Sequence, residues 1–378
     1  MTNPTRTGAA AVDVLETGEL GEVSRAADIA GRSAADGEVQ RRLASDVVAA
    51  LVDAGFARHF VPTRWGGTAG GFGDLLEAVA VVGERCASAA WVASLSAGVS
   101  RMGGYLPEEG QAELWAAGPD TLVVGALMPA GTVRRTSGGW LVSGKWPYIS
   151  AVDHSDWAFV CGVDEDGGPD DTRYFALPRS AYRVEETWRT VGMRGTGSNT
   201  LVADDVVVPE HRSFRRGDVL EGVGAQSADA CHHVPLRMVN GMLFTAPLLG
   251  AVRGALAPGA PFVGKLAGSP AGSPPRIALG RASGEVDAAQ LLLERIAATA
   301  DTGAASPSTI ARSGRDCALA VELLVDAIDR LFRAGGTSAQ AEGSALQRAW
   351  RDVHAGASHR VLRFDTAADG YAQSLLAE

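Results

Sequence analysis

Cysteine is scarce in this chain. The four in 378 residues, Cys86, Cys161, Cys231 and Cys317, lie far apart with no CxxC pair among them. That spacing argues against a zinc ribbon or a disulfide framework and leaves buried free thiols in a reducing compartment. An excess of basic charge is missing too. The 34 Lys+Arg against 44 Asp+Glu give a net charge of −10, the wrong sign for a nucleic acid or an anionic membrane as main partner. No uncharged apolar run reaches the roughly 20 residues of a membrane span. The opening residues, MTNPTRTGAAAVDV, lack the basic-then-apolar order of a secretory signal. The histidines and carboxylates show neither HExxH nor facial-triad spacing, so no metal is expected. EDGGPDD (165–171) reads as a hairpin tip rather than a calcium loop. These absences predict a soluble, cytoplasmic protein.

What is present is a large apolar complement, 46% of residues, in a chain too long for one ordinary core; two or three lobes are expected. The first part has helical signals. In SDVVAALVDAGF, Ser45 is the candidate N-cap, Val47, Val48, Leu51 and Val52 follow at helical spacing, and Gly55 stands where a left-handed C-cap belongs. The period then changes. DTLVVGALMP, GGWLVSGKWPYIS, DWAFVCGV, TRYFALP and NTLVADDVVVP are short β-branched and aromatic runs punctuated by Gly, Pro, Asp or Ser, a meander compatible with a small barrel or sandwich. Helices return near the end. Val286, Ala289, Leu292 or Leu293, and Ile296 fall on one face, and Val321, Leu324, Ile328 and Leu331 on another. Within the third part, 257–276 is rich in Gly and Pro and reads as a loop. The parts divide at 1–120, 121–212 and 213–378. Helices, then strands, then helices exclude an alternating, doubly wound parallel sheet.

The segment GMRGTGSNT (192–200) imitates a dinucleotide-binding turn. Such a turn needs a strand before it and a helix after it, whose N-terminus takes the pyrophosphate. Here a strand follows, and no lysine follows the glycines as a phosphate-binding P-loop requires. Both of those readings fail.

Several stretches together resemble the acyl-CoA dehydrogenase fold, and within it the branch of two-component flavin-dependent monooxygenases. They are GALMPAG (125–131), GGWLVSGKWPYISAVDHSDWAFVCG (138–162), TWRTVGMRGTGSNTLVADDVVVP (187–209) and LQRAWRDVHAGASHR (346–360). They occur in the family's order and span almost the whole chain. GVSRMGGYLPEEGQAELW, DHSDW, CHHVPLRMVNG and WRDVHAGASH are more narrowly similar to the oxygenase component of actinorhodin-type aromatic polyketide hydroxylases. The resemblance implies an α+β protein with an N-terminal helical domain, a central β-barrel and a C-terminal four-helix bundle. It implies an oxygenase that takes reduced FMN, with FAD the alternative, from a separate NAD(P)H-dependent flavin reductase. It would hydroxylate an aromatic polyketide with O2 through a flavin C4a-hydroperoxide, in antibiotic biosynthesis, as a homotetramer.

Carried onto this sequence, the resemblance implies a catalytic pair, His359 and Ser150, the latter also hydrogen-bonding flavin N5. Histidine suits the role because its pKa lies near neutrality. Leu127, Met128, Trp146, Tyr148, Arg194, Thr196, Gly197, Ser198 and Arg351 are the flavin-side candidates, with the arginines near the ring's negative charge or the phosphate. Ser100, Met102, Tyr105 and His232 are the substrate-side candidates. Ser100 falls where many relatives carry a histidine, a departure that puts two-histidine stabilisation in doubt. In RDVHAGASH, one continuous helix would place Asp352 and His359 on a shared face. The competing expectations are an acyl-CoA dehydrogenase-like flavin dehydrogenase, an amino-sugar N-oxygenase, and a flavin-binding module without activity. No convincing carboxylate base for a dehydrogenase can be placed.

Overall fold

A computed structural model of the chain describes residues 13–164, 167, 172–266 and 268–377. The N-terminal segment and most of EDGGPDD therefore lie outside the described residues.

Helices come first: α1 (Asp13–Gln40), α2 (Ser45–Asp53), α3 (Phe72–Gly83), α4 (Ala87–Met102) and α5 (Glu108–Leu114). Helix α2 starts one residue earlier than expected, with Ala44 as N-cap and Ser45 already inside; Asp46 Oδ1 accepts from the Val47 amide at 2.9 Å. Gly55 has φ +88°, the left-handed conformation that ends such a helix. Helix α4 is buried along nearly its whole length, which its small residues permit.

The strands follow as β1 (Val123–Gly125), β2 (Thr132–Thr136), β3 (Gly139–Ile149), β4 (Trp157–Asp164), β5 (Thr172–Pro178), β6 (Arg183–Glu185), β7 (Asn199–Val208) and β8 (Ser213–Arg215). They form one eight-stranded sheet in the order β6-β7-β3-β2-β4-β5-β8, with β1 beside β4. The β1–β4 and β2–β4 pairings are parallel and the others antiparallel. Three short strands, β2, β6 and β8, had no signal strong enough to be read, and β8 lies past residue 212.

One irregularity in β3 sets up the site. The β3–β7 register shifts between Trp146 and Ile149, and Tyr148 has φ +66°. Pro147 has no N–H to give the ladder, so the chain bulges there. Trp146 points into the core and Tyr148 out of it.

The chain then returns to helices: α6 (Arg216–Glu221), α7 (Leu236–Leu256), α8 (Pro261–Leu266), α9 (Pro274–Asp301), α10 (Pro307–Ala334), α11 (Gly336–Ala339), α12 (Ala345–Ala357) and α13 (Phe364–Ala377). The Gly/Pro-rich stretch is not all loop. It contains α8, and α9 begins at Pro274–Pro275, where a helix needs no N–H donor. Helices α7, α9, α10 and α12 pack against one another as a four-helix bundle. Leu293, not Leu292, joins Val286, Ala289 and Ile296 inside; Val321, Leu324, Ile328 and Leu331 line α10's buried face. Helix α7 is long and apolar enough to cross a membrane by length and composition, but it is mostly buried as the bundle's central helix.

Helix α7 also packs on α3 and α4, so the bundle and the N-terminal helices share one core. At the crossing with α3, a Cβ on Gly83 would lie 2.9 Å from the Gly250 Cα, and one on Gly250 2.7 Å from the Gly83 Cα. Only glycine allows the two backbones that close.

Candidate active site at the sheet–bundle seam

The β3 bulge delivers Ser150 to the start of α4. Trp91, on α4, donates its indole Nε1–H to Ser150 Oγ at 3.1 Å, and Ser150 Oγ lies 2.9 Å from Ser198 Oγ. Ser198 Oγ is 2.6 Å from Thr196 Oγ1, which donates to the Met193 carbonyl at 2.9 Å. Three hydroxyls thus run in a chain from Ser150 into the RGTGS turn. The turn itself is a short 3-10 element over Arg194–Thr196 flanked by left-handed Met193 (φ +51°) and Gly197 (φ +56°). The Ala151 amide donates to the Thr196 carbonyl at 2.8 Å and ties it to the end of β3.

On the other side of Trp91 stands His359. Its ring stacks on Phe244 of α7, centroids 3.8 Å apart at 22°, and meets the Trp91 ring edge-on at 6.4 Å. Helix α12 ends at Ala357, and His359 begins the next short turn, its Nδ1 accepting from the Val361 amide at 3.4 Å. The expected shared face of Asp352 and His359 on one continuous helix is therefore corrected: the helix stops between them. With Nδ1 an acceptor, the neutral ring carries its proton on Nε2. Burial pushes the His359 pKa down to about 4, so it is neutral at pH 7.

Asp352 and Arg351 have a different task. Asp352 Oδ1 accepts from the Met193 amide at 2.6 Å, and burial, partly offset by that bond, raises its pKa to about 6. Arg351 donates to the Val191 carbonyl at 2.8 Å and pairs with Glu38 of α1 at 2.5 Å. Arg348 (3.2 Å) and Arg194 (3.5 Å) reach the same carboxylate. Burial alone would raise Glu38, but Arg351 and Arg348 outweigh it and hold the carboxyl below its usual range. Arg194 also donates to the Thr190 carbonyl at 2.9 Å. Both arginines expected at the flavin are thus engaged in docking the turn onto α1 and α12.

Other expectations need correction. Trp146 is a core residue of the sheet domain, 1% exposed, with its indole N–H donated to the Cys161 carbonyl at 2.8 Å. Gly197 turns its α-carbon toward Arg41, Arg42 and Asp153, so its role is the left-handed backbone. Met102 and Tyr105 sit in a closed cluster with Val99, Phe159, Tyr174 and Phe214. The Tyr105 hydroxyl donates to the His232 carbonyl. Ser100 is fully buried and its Oγ has no partner. It follows Trp91 by nine residues on α4, roughly 180° around the helix, so it faces away from the seam. His232 is fully buried, and burial with the nearby Arg101 charge takes its pKa to about 4.

Leu127 and Met128 fall on the β1–β2 connection. Leu127 packs on the Met102–Tyr105 cluster and its carbonyl accepts from Tyr174 at 3.2 Å, while Met128 is exposed. Tyr148 is exposed beside Trp188, ring centroids 6.2 Å apart. The arrangement missed Arg101 altogether. Among the described residues, this fully buried guanidinium has no carboxylate partner. Its Nη1 donates to the Cys231 and Val234 carbonyls at 2.7 and 2.8 Å, and it lies over the Phe72 ring. No periodicity or motif marks it. Trp91 and Phe244 were also missed, because each reads as ordinary core until its neighbours are known.

A cleft of about 1020 Å³ opens elsewhere, between α1, the α3–α4 junction, α8 and α11–α12; Ser150, Tyr148 and His359 do not line it. Among the described residues, no group of three or more His, Cys, Asp or Glu is placed to hold a metal ion. The four cysteines are buried and unpaired, and burial raises all of their thiols.

Helices, sheet and bundle in this order, with a hydroxyl chain and a histidine on either side of Trp91 at the seam, give the layout of the acyl-CoA dehydrogenase fold. Comparison with known proteins agrees. Residues 242–364 match the acyl-CoA dehydrogenase C-terminal domain family. The chain is 34% identical over 335 residues to the flavin-dependent monooxygenase oxygenase subunit HsaA of Mycobacterium tuberculosis, covering 84% of this chain and 85% of that one. It is 31% identical over 382 residues to the FADH(2)-dependent resorcinol hydroxylase oxygenase component of a Rhizobium species, covering 94% and 93%. XiaF from a Streptomyces species, solved with FADH2 and glycerol, superposes with a TM-score of 0.84 at 29% identity, covering 96% of this chain and 97% of that one. The chain belongs to the oxygenase components of two-component flavin-dependent monooxygenases. It is an enzyme that works with reduced flavin and O2, and its reduced flavin comes from a separate reductase.

Proposed function

We propose that this oxygenase hydroxylates an electron-rich aromatic polyketide, a phenol, naphthol or dihydroquinone ring, in antibiotic biosynthesis. The observation that carries the reading is the meeting of Ser150 and His359 on opposite sides of Trp91, between the sheet and the bundle. The donor set suits a flavin. Ser150 offers a hydroxyl that both donates and accepts, while exposed Met128 and Tyr148 leave apolar surface for a planar ring to cover.

When bound, reduced flavin supplies the activated oxygen. The chain's own residues hold and shield it. Ser150, with Ser198 and Thr196 behind it, would face the flavin ring, and Leu127, Met128 and Tyr148 would border it. His359, neutral and carrying its proton on Nε2, would donate that N–H as a hydrogen bond to the substrate hydroxyl oxygen and hold it in place. Phe244 and Trp91 fix its ring and keep water from it. Arg194, Arg351 and Asp352 act one layer out, by holding the turn that carries Thr196 and Ser198.

The test mixes the protein with reduced FMN, O2 and a hydroxylated naphthoquinone in its dihydro form. A hydroxylated product is expected, with O2 uptake coupled to it. Flavin reoxidation to hydrogen peroxide alone, with this and related fused-ring phenols, overturns the polyketide reading. Small phenols such as resorcinol in their place distinguish a simpler aromatic substrate.

We also infer a homotetramer, though not from the apolar faces of 286–300 and 318–332, which the bundle consumes. Exposed apolar side chains that the bundle does not consume include Ile277 and Leu291 on α9 and Leu375 and Leu376 on α13. Sedimentation equilibrium is expected to give four chains; a monomer rejects the inference.

A further inference from the structure

The chain of hydroxyls behind Ser150 has two ways to arrange its protons. Thr196 and Ser198 are 1% and 4% exposed, so the chain is sealed from solvent at its inner end. In one arrangement every proton points inward. Ser150 donates to Ser198, Ser198 to Thr196, and Thr196 to the Met193 carbonyl. Trp91 occupies one lone pair of Ser150, and the other is free to accept. In the second arrangement every proton points outward. Thr196 donates to Ser198 and Ser198 to Ser150, whose two lone pairs are now filled by Trp91 and Ser198, so its own proton projects out of the chain. The Met193 carbonyl does not go unpaired, because the Trp188 indole N–H also donates to it at 2.8 Å. Both arrangements satisfy the buried donors, so neither carries the cost of an unmade hydrogen bond.

We propose that Thr196 and Ser198 are positioning residues that let Ser150 reverse its hydrogen bond to flavin N5 when the flavin changes oxidation state. This rests on the reading of Ser150 as the flavin-facing hydroxyl. N5 of oxidised flavin is a bare nitrogen and needs a donor; N5 of reduced flavin carries a hydrogen and needs an acceptor. A serine with a fixed proton would suit one form and reject the other. The reversible chain suits both, and three hydroxyl rotations are all it requires. Trp91 takes part by keeping one lone pair of Ser150 occupied, which makes the direction of Ser198 decide the direction of Ser150.

The experiment measures the affinity of the whole protein for oxidised and for reduced FMN under anaerobic conditions, in the parent and in Ser198→Ala, Thr196→Val and Ser150→Ala. In Thr196→Val, Ser198 can give its proton only to Ser150, and Ser150 becomes a fixed donor. In Ser198→Ala, Ser150 loses its inward acceptor, with the same result. Both variants are expected to weaken reduced FMN relative to oxidised FMN about tenfold, the worth of one hydrogen bond. The midpoint potential of the bound flavin then falls by about 30 mV, since tenfold corresponds to that for a two-electron couple. In a Ser150→Ala background the Ser198→Ala change is expected to leave the ratio alone. If either single variant moves both affinities equally, or if the Ser198→Ala effect persists without Ser150, the proposal is overturned. If Ser150→Ala alone alters neither affinity, or the parent binds neither form, the underlying placement of Ser150 fails instead.

Discussion

The His359→Ala variant is expected to lose about 100-fold or more of its hydroxylation rate while its affinity for reduced flavin changes by less than about threefold. A reacting group misplaced by about 1 Å can cost about 10²-fold, and His359 is the group that holds the substrate hydroxyl in place. The geometry separates the two effects: His359 lies against Phe244 and the edge of Trp91, whereas Ser150 lies on the indole N–H of Trp91. Single-turnover product formation and a flavin titration check it, and comparable losses in both would assign His359 a packing role. The same variant carries a stability signature. The folded pKa of His359 is about 4 against an ordinary value of 6.5, so the unfolded chain binds the extra proton between those values. The stability associated with the neutral ring is complete above pH 6.5 and is lost as pH falls toward 4. Removing His359 should flatten the acid side of the stability profile. His232 acts in the same sense and Asp352, with its raised pKa, in the opposite one; both remain in the variant and cancel from the comparison.

The second large effect is expected from Gly192→Val. A Cβ on Gly192 would overlap the backbone carbonyl of Arg351 and lie 2.9 Å from the Asp352 nitrogen. These are backbone atoms inside α12 and cannot step aside as a side chain can. The valine must push the 187–198 segment away from the helix, breaking the Asp352–Met193 and Arg351–Val191 bonds together. Overpacking typically costs about 1–3 kcal/mol, and losing two hydrogen bonds, the Asp352–Met193 one buried, adds to it, so a loss of about 3 kcal/mol is expected. Because the same segment carries Thr196 and Ser198, flavin affinity should fall with stability. A denaturant midpoint and a flavin titration that both match the parent would show that the turn does not depend on this contact.

The broad order of the fold was legible because it is written in periodicity. The change from period 3.6 to period 2 and back marks the sheet's place in the chain, and the apolar stripes of α9 and α10 name the buried residues almost one by one. The three-residue strands β6 and β8 are too short to show a period, and β2 (TVRRT) is polar and exposed apart from Val133. The site was legible in part. WPYIS marks Ser150 through the family resemblance rather than through any local pattern, and the glycines of the turn mark a close approach of backbone to a cofactor. What failed were statements about partners. Arg194 and Arg351 were matched to a ligand's charge, but Glu38, far off in sequence on α1, claims both. Ser100, Met102, Tyr105 and His232 were read as pocket residues, and packing between α4, the sheet and the 230–233 turn closes over them. Local pattern reports which face a residue takes; it does not report what long-range neighbour waits there.

The glycine crossing of α3 and α7 bears on how this chain becomes folded. Gly83 and Gly250 meet only after every strand has been synthesised between them, so the first helices cannot finish their core on their own. The sheet, whose last strand ends at Arg215, can pair beforehand, because all of its strands precede α7. A nascent chain stopped before α7 would therefore carry an ordered middle and an apolar, unmated front end, and the arrival of the central bundle helix is the event that closes both.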